Sequence, residues 1–303
     1  MRILVSGSSG LIGRALCQEL GRRGHSVGRL VRNRVTDPRS EIAWDPVSGN
    51  IDEEGLLRYE KVVNLAGRSI ASGIWTGRQK RLLVESRVRS TRLLAESLAR
   101  LRGSGPTTLL NASAIGYYGH RGDELLTEES PGGQGFFAEL CREWENATLP
   151  AAETGIQVVR ARFGLVFAPV GGFLEPLLPL FRLGLGAKIG NGSQWMSWIH
   201  IEDLIQLLCT LLEMDSAQGA LNLVAPEPVT NSRFTETVAS ILNRPAWLSV
   251  PKFVLHLLPG GMGSEMFLAS QRATPKRLEE MGIGFRFPEL HSALEDCLAD
   301  RAG

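Results

Sequence analysis

The sequence predicts an α/β fold, a doubly wound parallel sheet followed by a smaller, mostly helical C-terminal lobe. Three observations carry this. Short apolar runs alternate with helical patterns through about residue 165, the signature of strands and helices in turn. A glycine turn, Gly7-Ser8-Ser9-Gly10-Leu11-Ile12-Gly13, joins the first apolar run to the first helical pattern. Beyond Gly171-Gly172 the pattern becomes helical and is jointed by Pro and Gly. The expected division is residues 1–165 for the sheet domain and residues 166–303 for a lobe that forms one wall of a cleft.

The elements follow in order. Ile3-Leu4-Val5 reads as a short buried strand. Leu11, Ile12, Ala15, Leu16 and Leu20 recur at helical spacing over Leu11–Arg23. Ser26–Val31 is the second strand, Ile42–Trp44 a short apolar patch, and Val62–Gly67 a buried strand with its exit turn. Arg78–Leu101 is a long amphipathic helix, Arg outside and Leu or Val inside, ended by Gly103-Ser104-Gly105-Pro106. Thr107–Asn111 is a strand, and Ser113–Gly135 a long loop of the kind that is functional or disordered. A helix over Phe137–Glu153 and a strand over Ile156–Phe163 complete this half. In the second half, helices are expected at Phe173–Leu185, Glu202–Glu213, Ser232–Asn243 and Pro288–Leu298, with one strand at Ala220–Val224.

Composition narrows the classes. The 33 basic and 32 acidic residues nearly cancel, so nothing favours nucleic acid or a membrane surface as partner. A hydrophobic share of 43% is enough for a real core. Cys17, Cys141, Cys209 and Cys297 form no C-x-x-C pair and read as separate reduced thiols. The histidines show no metal-ligand spacing, and no apolar stretch is long enough to span a bilayer. The chain starts almost directly on its first strand, with no room for a signal peptide. The expectation is a cytoplasmic protein without metal, a homodimer being one option.

The glycine turn suits a dinucleotide. Gly7 permits the sharp exit from the strand, and Gly10 lets backbone approach a pyrophosphate at a helix N-terminus. Gly13 lets the helix pack close to the sheet. An ordinary turn would also use glycines, but the strand before and the helix after favour the cofactor. Ser8 and Ser9 offer further donors to phosphate oxygens, beside the Leu11 and Ile12 backbone. Asn64, Leu65, Ala66 and Gly67 supply backbone beside the adenosine half, with Gly67 keeping the approach clear. An acid at the end of strand two would select NAD. Here Gly28–Asn33 carries none before Asp37, and Arg32 stands where a guanidinium can pair with a 2′-phosphate. NADP(H) is therefore expected over NAD.

Further motifs fall in order: Asn64–Gly67, the run N-A-S-A-I-G-Y-Y-G at Asn111–Gly119, and S-W-I-H-I-E-D-L at Ser197–Leu204. Trp75, Ser86-Arg87, Glu128–Pro131, Trp144-Glu145 and the Gly-rich run from Gly184 to Gln194 accompany them. Together these resemble an atypical extended short-chain dehydrogenase/reductase, of an epimerase-like branch labelled SDR39U1-like within the nucleoside-diphosphate-sugar epimerase family. The resemblance covers nearly the whole chain and implies a Rossmann-type fold and a nicotinamide cofactor. It also implies a Tyr acid/base with a Lys four residues later that lowers the phenol's pKa. At those places the chain has Phe137 and Cys141. Ser113, Tyr117 and Tyr118 are the remaining catalytic candidates, and Arg142 lies one residue late, about 100° round the helix. Arg160 and Arg162 share one face of a strand, to bind an anionic substrate or to form a salt-bridged edge. Gln194, Trp195 and Trp198 are candidates to line a pocket, while His200 and Asp203 read as a structural cap. The expected function is an NADP(H)-dependent oxidoreductase or epimerase-like enzyme acting on a small polar or nucleotide-linked substrate. The alternative is a non-catalytic NADP(H)-binding sensor or scaffold.

Overall fold

Ile3, Leu4 and Val5 are wholly buried. Successive strand side chains point to opposite faces, so this strand needs an apolar layer on each side. The computed structural model describes residues 1–32, 34–70, 72–257 and 259–299. Its main sheet comprises β1 (Arg2–Ser6), β2 (Ser26–Val31), β3 (Glu41–Asp45), β4 (Asn50–Ile51), β5 (Lys61–Asn64), β6 (Thr108–Ala114), β7 (Gln157–Phe163) and β8 (Gly219–Leu223). The order is β8-β7-β6-β5-β1-β2-β3-β4. β3 and β4 pair antiparallel and all other neighbours parallel.

The helices that matter for the site are α1 (Leu11–Arg22), α2 (Gly77–Arg100), α3 (Phe136–Asn146), α4 (Ile201–Glu213), α5 (Asn231–Ile241) and α6 (Leu290–Leu298). On one face, Ile3, Val5, Val63 and Leu110 pack with Leu16 and Leu20 of α1 and Leu204 and Leu208 of α4. On the other, Leu4, Val62 and Leu109 pack with Leu94 and Leu98 of α2. A separate aromatic core, with Phe167, Phe181, Trp198 and Phe234, holds the C-terminal lobe together.

Through β7 the expected strands and helices are present, with shifted ends and one divided helix. The 137–153 helix divides into α3 and Leu149–Glu153, with Pro150 in the first turn of the second piece. Of the expected 173–185 helix only Leu178–Arg182 is helical, with Pro179 in its first turn, where a missing donor costs nothing but the ring opposes extension of the helix toward Phe173. β8 returns to the main sheet from beyond residue 165. The long loop holds a 3₁₀ turn, Ile115–Tyr118, and a short strand, Leu125–Leu126, paired with Arg272–Ala273. Three more short pairings lie in the mostly helical lobe: Ala187–Ile189 with Leu248–Val250, Trp195–Met196 with Val229–Thr230, and Trp198–His200 with Leu165–Phe167. Strands of two or three residues carry too little period to be read.

The chain runs outward from β1 to β4 and then crosses back to β5 on the other side of β1. Such a switch point leaves a crevice outside the carboxyl ends of the strands, where ligands of open α/β sheets bind.

Candidate functional site at the switch point

The loops after β1 and β5 touch. Gly7 has φ +67°, and a Cβ built on it would stand 2.6 Å from Leu65 O. Gly13 is held to glycine by the loop itself, since its Cβ would lie 2.2 Å from Gly7 O. Gly10 differs: its φ is −75°, and a Cβ there meets only Gly7 O, at 3.4 Å. The outer side of the loop at Gly10 is therefore open. Ser9 and Gly10 are exposed, while Ser8, Leu11 and Ile12 are half-buried. No side chain caps α1, and its first turn carries no acid. Its leading N–H groups and positive dipole end remain available to an anion. Arg32 is exposed just after β2.

Asn64 plays an internal part. Its side chain is fully buried and donates to Asn111 Oδ1 at 2.7 Å and Thr91 Oγ1 at 2.8 Å. Ser6 donates to Asn64 Oδ1 at 2.6 Å and accepts from the N–H of Leu65 and Ala66 at 3.2 and 3.3 Å. This network fixes the second loop under the crevice. The Arg87 guanidinium packs close on Gly67: a built Cβ would stand 3.2 Å from Arg87 Cζ.

At the start of α3, Phe137 packs edge-on against Trp75, ring centroids 4.8 Å apart. Cys141, one turn on, is buried, and burial above all pushes its thiol up to about 12. Neither side chain handles protons near neutral pH. Arg142 is exposed. Sequence reasoning missed Glu265, whose carboxylate accepts the N–H of Phe136 at 2.9 Å and of Phe137 at 3.2 Å. With His120, Gln134, Phe137 and Gln271 it lines a cavity of about 130 Å³. A second, of about 60 Å³, is lined by Gln194, Trp195, Ser197 and Glu265 among others.

Ser113 and Tyr118 are tied into a buried chain. Ser113 donates to Glu145 Oε1 at 2.7 Å, and Arg162 grips both Glu145 oxygens at 2.8 and 2.9 Å. Arg162 also donates to the Tyr118 hydroxyl at 2.9 Å, which contacts Asn222 Oδ1 at 2.7 Å. Burial, opposed by Arg162, pushes the Tyr118 phenol up to about 12. Tyr117 is half-buried, its ring 3.6 Å from the Arg162 guanidinium carbon. Arg160 lies on the same strand face as Arg162, half-buried, with its Nε unpartnered. Gln194 reaches Ile189 O and Phe267 O, both at 3.3 Å. Trp195 donates to Asp123 at 2.8 Å and lies under Arg272. Trp198 is fully buried, stacked on Phe167 at 5.3 Å, and belongs to the lobe's core. His200 caps α4 by accepting from the Glu202 N–H, and Asp203 accepts from the N–H of Arg286 and Phe287.

The sheet order, the paired loops at the switch point and the uncapped α1 define a dinucleotide-binding type of α/β protein. Residues 3–223 match the NAD dependent epimerase/dehydratase family, and residues 250–297 match a domain of unknown function, DUF1731. The chain belongs to the NAD dependent epimerase/dehydratase family, in its SDR39U1-like branch. It is 41% identical to an epimerase family protein of Mycobacterium bovis over 292 residues, 96% of each chain. It is 36% identical to the human epimerase family protein SDR39U1 over 303 residues, 99% of this chain and 100% of that one. The crystal structure of human SDR39U1 (isoform 2) with NADPH superimposes with a TM-score of 0.88 at 34% identity, covering 98% and 99% of the two chains.

Proposed function

We propose that the protein binds NADP(H) across the switch point and acts as an oxidoreductase or epimerase-like enzyme on a small polar or nucleotide-linked substrate. The observation that carries this reading is the open side of the loop at Gly10, set against an α1 N-terminus that no side chain caps. The fit extends to both ends of the crevice, with Arg32 exposed at one end and the Arg87 Nε buried and unpartnered at the other. Gly7 to Gly13 would hold the diphosphate, Arg32 the 2′-phosphate, and the Leu65–Gly67 backbone the adenosine side. The nicotinamide, when bound, supplies hydride chemistry.

The proton handling departs from the usual pair. Phe137 has no exchangeable proton. The Tyr118 phenol is held well above neutral and is shared with Arg162 and Asn222. Tyr117 is the phenol left for proton transfer, beside a permanently charged guanidinium. The second reading, a non-catalytic NADP(H)-binding sensor, is favoured by one specific observation: Ser113 is committed to Glu145. NADPH titration followed by turnover on a carbonyl panel separates the readings. Oxidation of bound NADPH that falls on Tyr117→Phe supports the enzyme. Binding without turnover supports the sensor, and absence of binding removes both.

A further inference from the structure

About half of the exposed large apolar side chains among the described residues lie in residues 180–185 and 247–257. Leu183 is 74% exposed, Trp247 84% and Leu257 76%, and Leu180, Leu185 and Phe253 accompany them. The two stretches lie side by side. Ala187–Ile189 pairs in parallel with Leu248–Val250, and the Gly190 N–H donates to Val250 O at 2.8 Å. A Cβ built on Gly184 would stand 3.4 Å from Pro245 Cγ, and one built on Gly190 2.8 Å from Lys252 Cε. Phe253 and Leu257, four residues apart on the short helix Lys252–His256 and its cap, share one side of it. Exposed apolar side chains gathered in this way mark a surface that meets a partner.

The charge of these stretches has one sign. Residues 176–201 and 237–264 contain no Asp or Glu, while Arg182, Lys188, Arg244 and Lys252 fall inside them. Arg182, Arg244 and Lys252 are exposed and Lys188 half-buried. The near-balance of charge over the whole chain hides this local excess. A second copy docked about a two-fold axis would set these cations against their own copies, with no acid in either stretch to receive them. The face therefore suits an anionic partner. Leu and Phe beside Lys and Arg, with an exposed indole, is the composition that enters the headgroup layer of a membrane. Among the described residues no helix is long and apolar enough to cross a bilayer, so such a contact would lie at its surface.

We propose that this face docks the protein on an anionic lipid surface. Trp247, Phe253 and Leu257 enter the headgroup layer, and Arg182, Arg244 and Lys252 meet the lipid anions. The proposal does not depend on the NADP(H) reading above. Its test is co-sedimentation of the full chain with vesicles of phosphatidylcholine alone and of phosphatidylcholine mixed with phosphatidylserine. The parent is expected to pellet with the mixed vesicles at low ionic strength, to stay in solution with phosphatidylcholine alone, and to be released by salt. Arg244→Gln combined with Lys252→Gln should weaken partition about 30-fold, each cation counting for about fivefold. Trp247→Ser should weaken it about tenfold, through lost apolar burial. Circular dichroism of both variants should match the parent, since these side chains are exposed. A parent that stays in solution with both vesicles, or pellets equally with both, would overturn the proposal. So would pelleting that neither variant reduces. Light scattering without lipid tests the other occupant: a dimer that Trp247→Ser dissociates would assign the face to a second copy and overturn the lipid reading.

Discussion

Gly10 and Gly13 share one loop but are glycine for different reasons. Gly13 has no room for a Cβ against Gly7 O, whereas Gly10 has room and faces outward. Gly10→Val is therefore expected to fold, with circular dichroism unchanged and the melting temperature within a few degrees, while calorimetry detects no NADPH binding. Retained binding would make the loop an ordinary turn. The glycines, Ser8, Ser9 and Arg32 stand out as candidates in the sequence because that reading depends on short spacing along the chain. Arg87 does not, because α2 is full of surface arginines. A signal was present nonetheless: Leu83, Arg87, Ser90 and Leu94 fall on one helical stripe, and all four are buried. Trp198 misled in the other direction, since an aromatic residue type does not distinguish a pocket wall from a core.

At the scale of elements, the α2–α3 contact and the start of α4 are the informative places. Cys141→Lys would place there the residue type that the resemblance to short-chain dehydrogenases implies. Here it would force a longer side chain and a second cation into a closed space beside Arg87. The expected cost is about 3 kcal/mol or more in urea unfolding, from overpacking together with an unpaired buried charge. Combined with Arg87→Met, the loss should be smaller than the sum by about 1 kcal/mol, as for neighbours in contact. Strict additivity would mean the two sites do not meet. At α4, burial, against the pull of Asp296, Glu202 and Asp203, holds His200 below the ordinary imidazole pKa. The folded pKa lies under the unfolded value of about 6.5, so the unfolded state binds more protons as pH falls. The stabilisation is whole above about pH 6.5 and is lost as pH drops through the folded pKa. His200→Asn keeps a capping oxygen and removes the titration. Its melting temperature should fall less between about pH 7.5 and 5.5 than that of the parent; parallel slopes would exclude His200 as the source. The helices themselves were legible where apolar spacing ran unbroken, as in α1 and α2. They were misread where Pro interrupts it, as at Pro150 and Pro179.

Across the whole molecule, the crevice is completed from the C-terminal side. Glu265 reaches the start of α3 from 129 residues away, and Met262 and Met266 pack into the cluster of Trp75, Leu83 and Cys141. The Ser113–Glu145–Arg162–Tyr118 chain likewise joins β6, α3, β7 and the long loop. Pairings of this kind depend on the fold bringing distant residues together, so Glu145 and Glu265 gave no local signal of their partners. The sheet was legible because its strands are apolar runs set between helices. The central claim is that the crevice binds NADP(H) through its 2′-phosphate end. The direct measurement is titration of the purified protein with NADPH and with NADH by nicotinamide fluorescence, repeated on Arg32→Asp. The expected result is a parent that binds NADPH at least about tenfold more tightly, the value of one charge-assisted contact, and a variant in which the order reverses. Equal affinities in the parent, or a preference that survives Arg32→Asp unchanged, would contradict it.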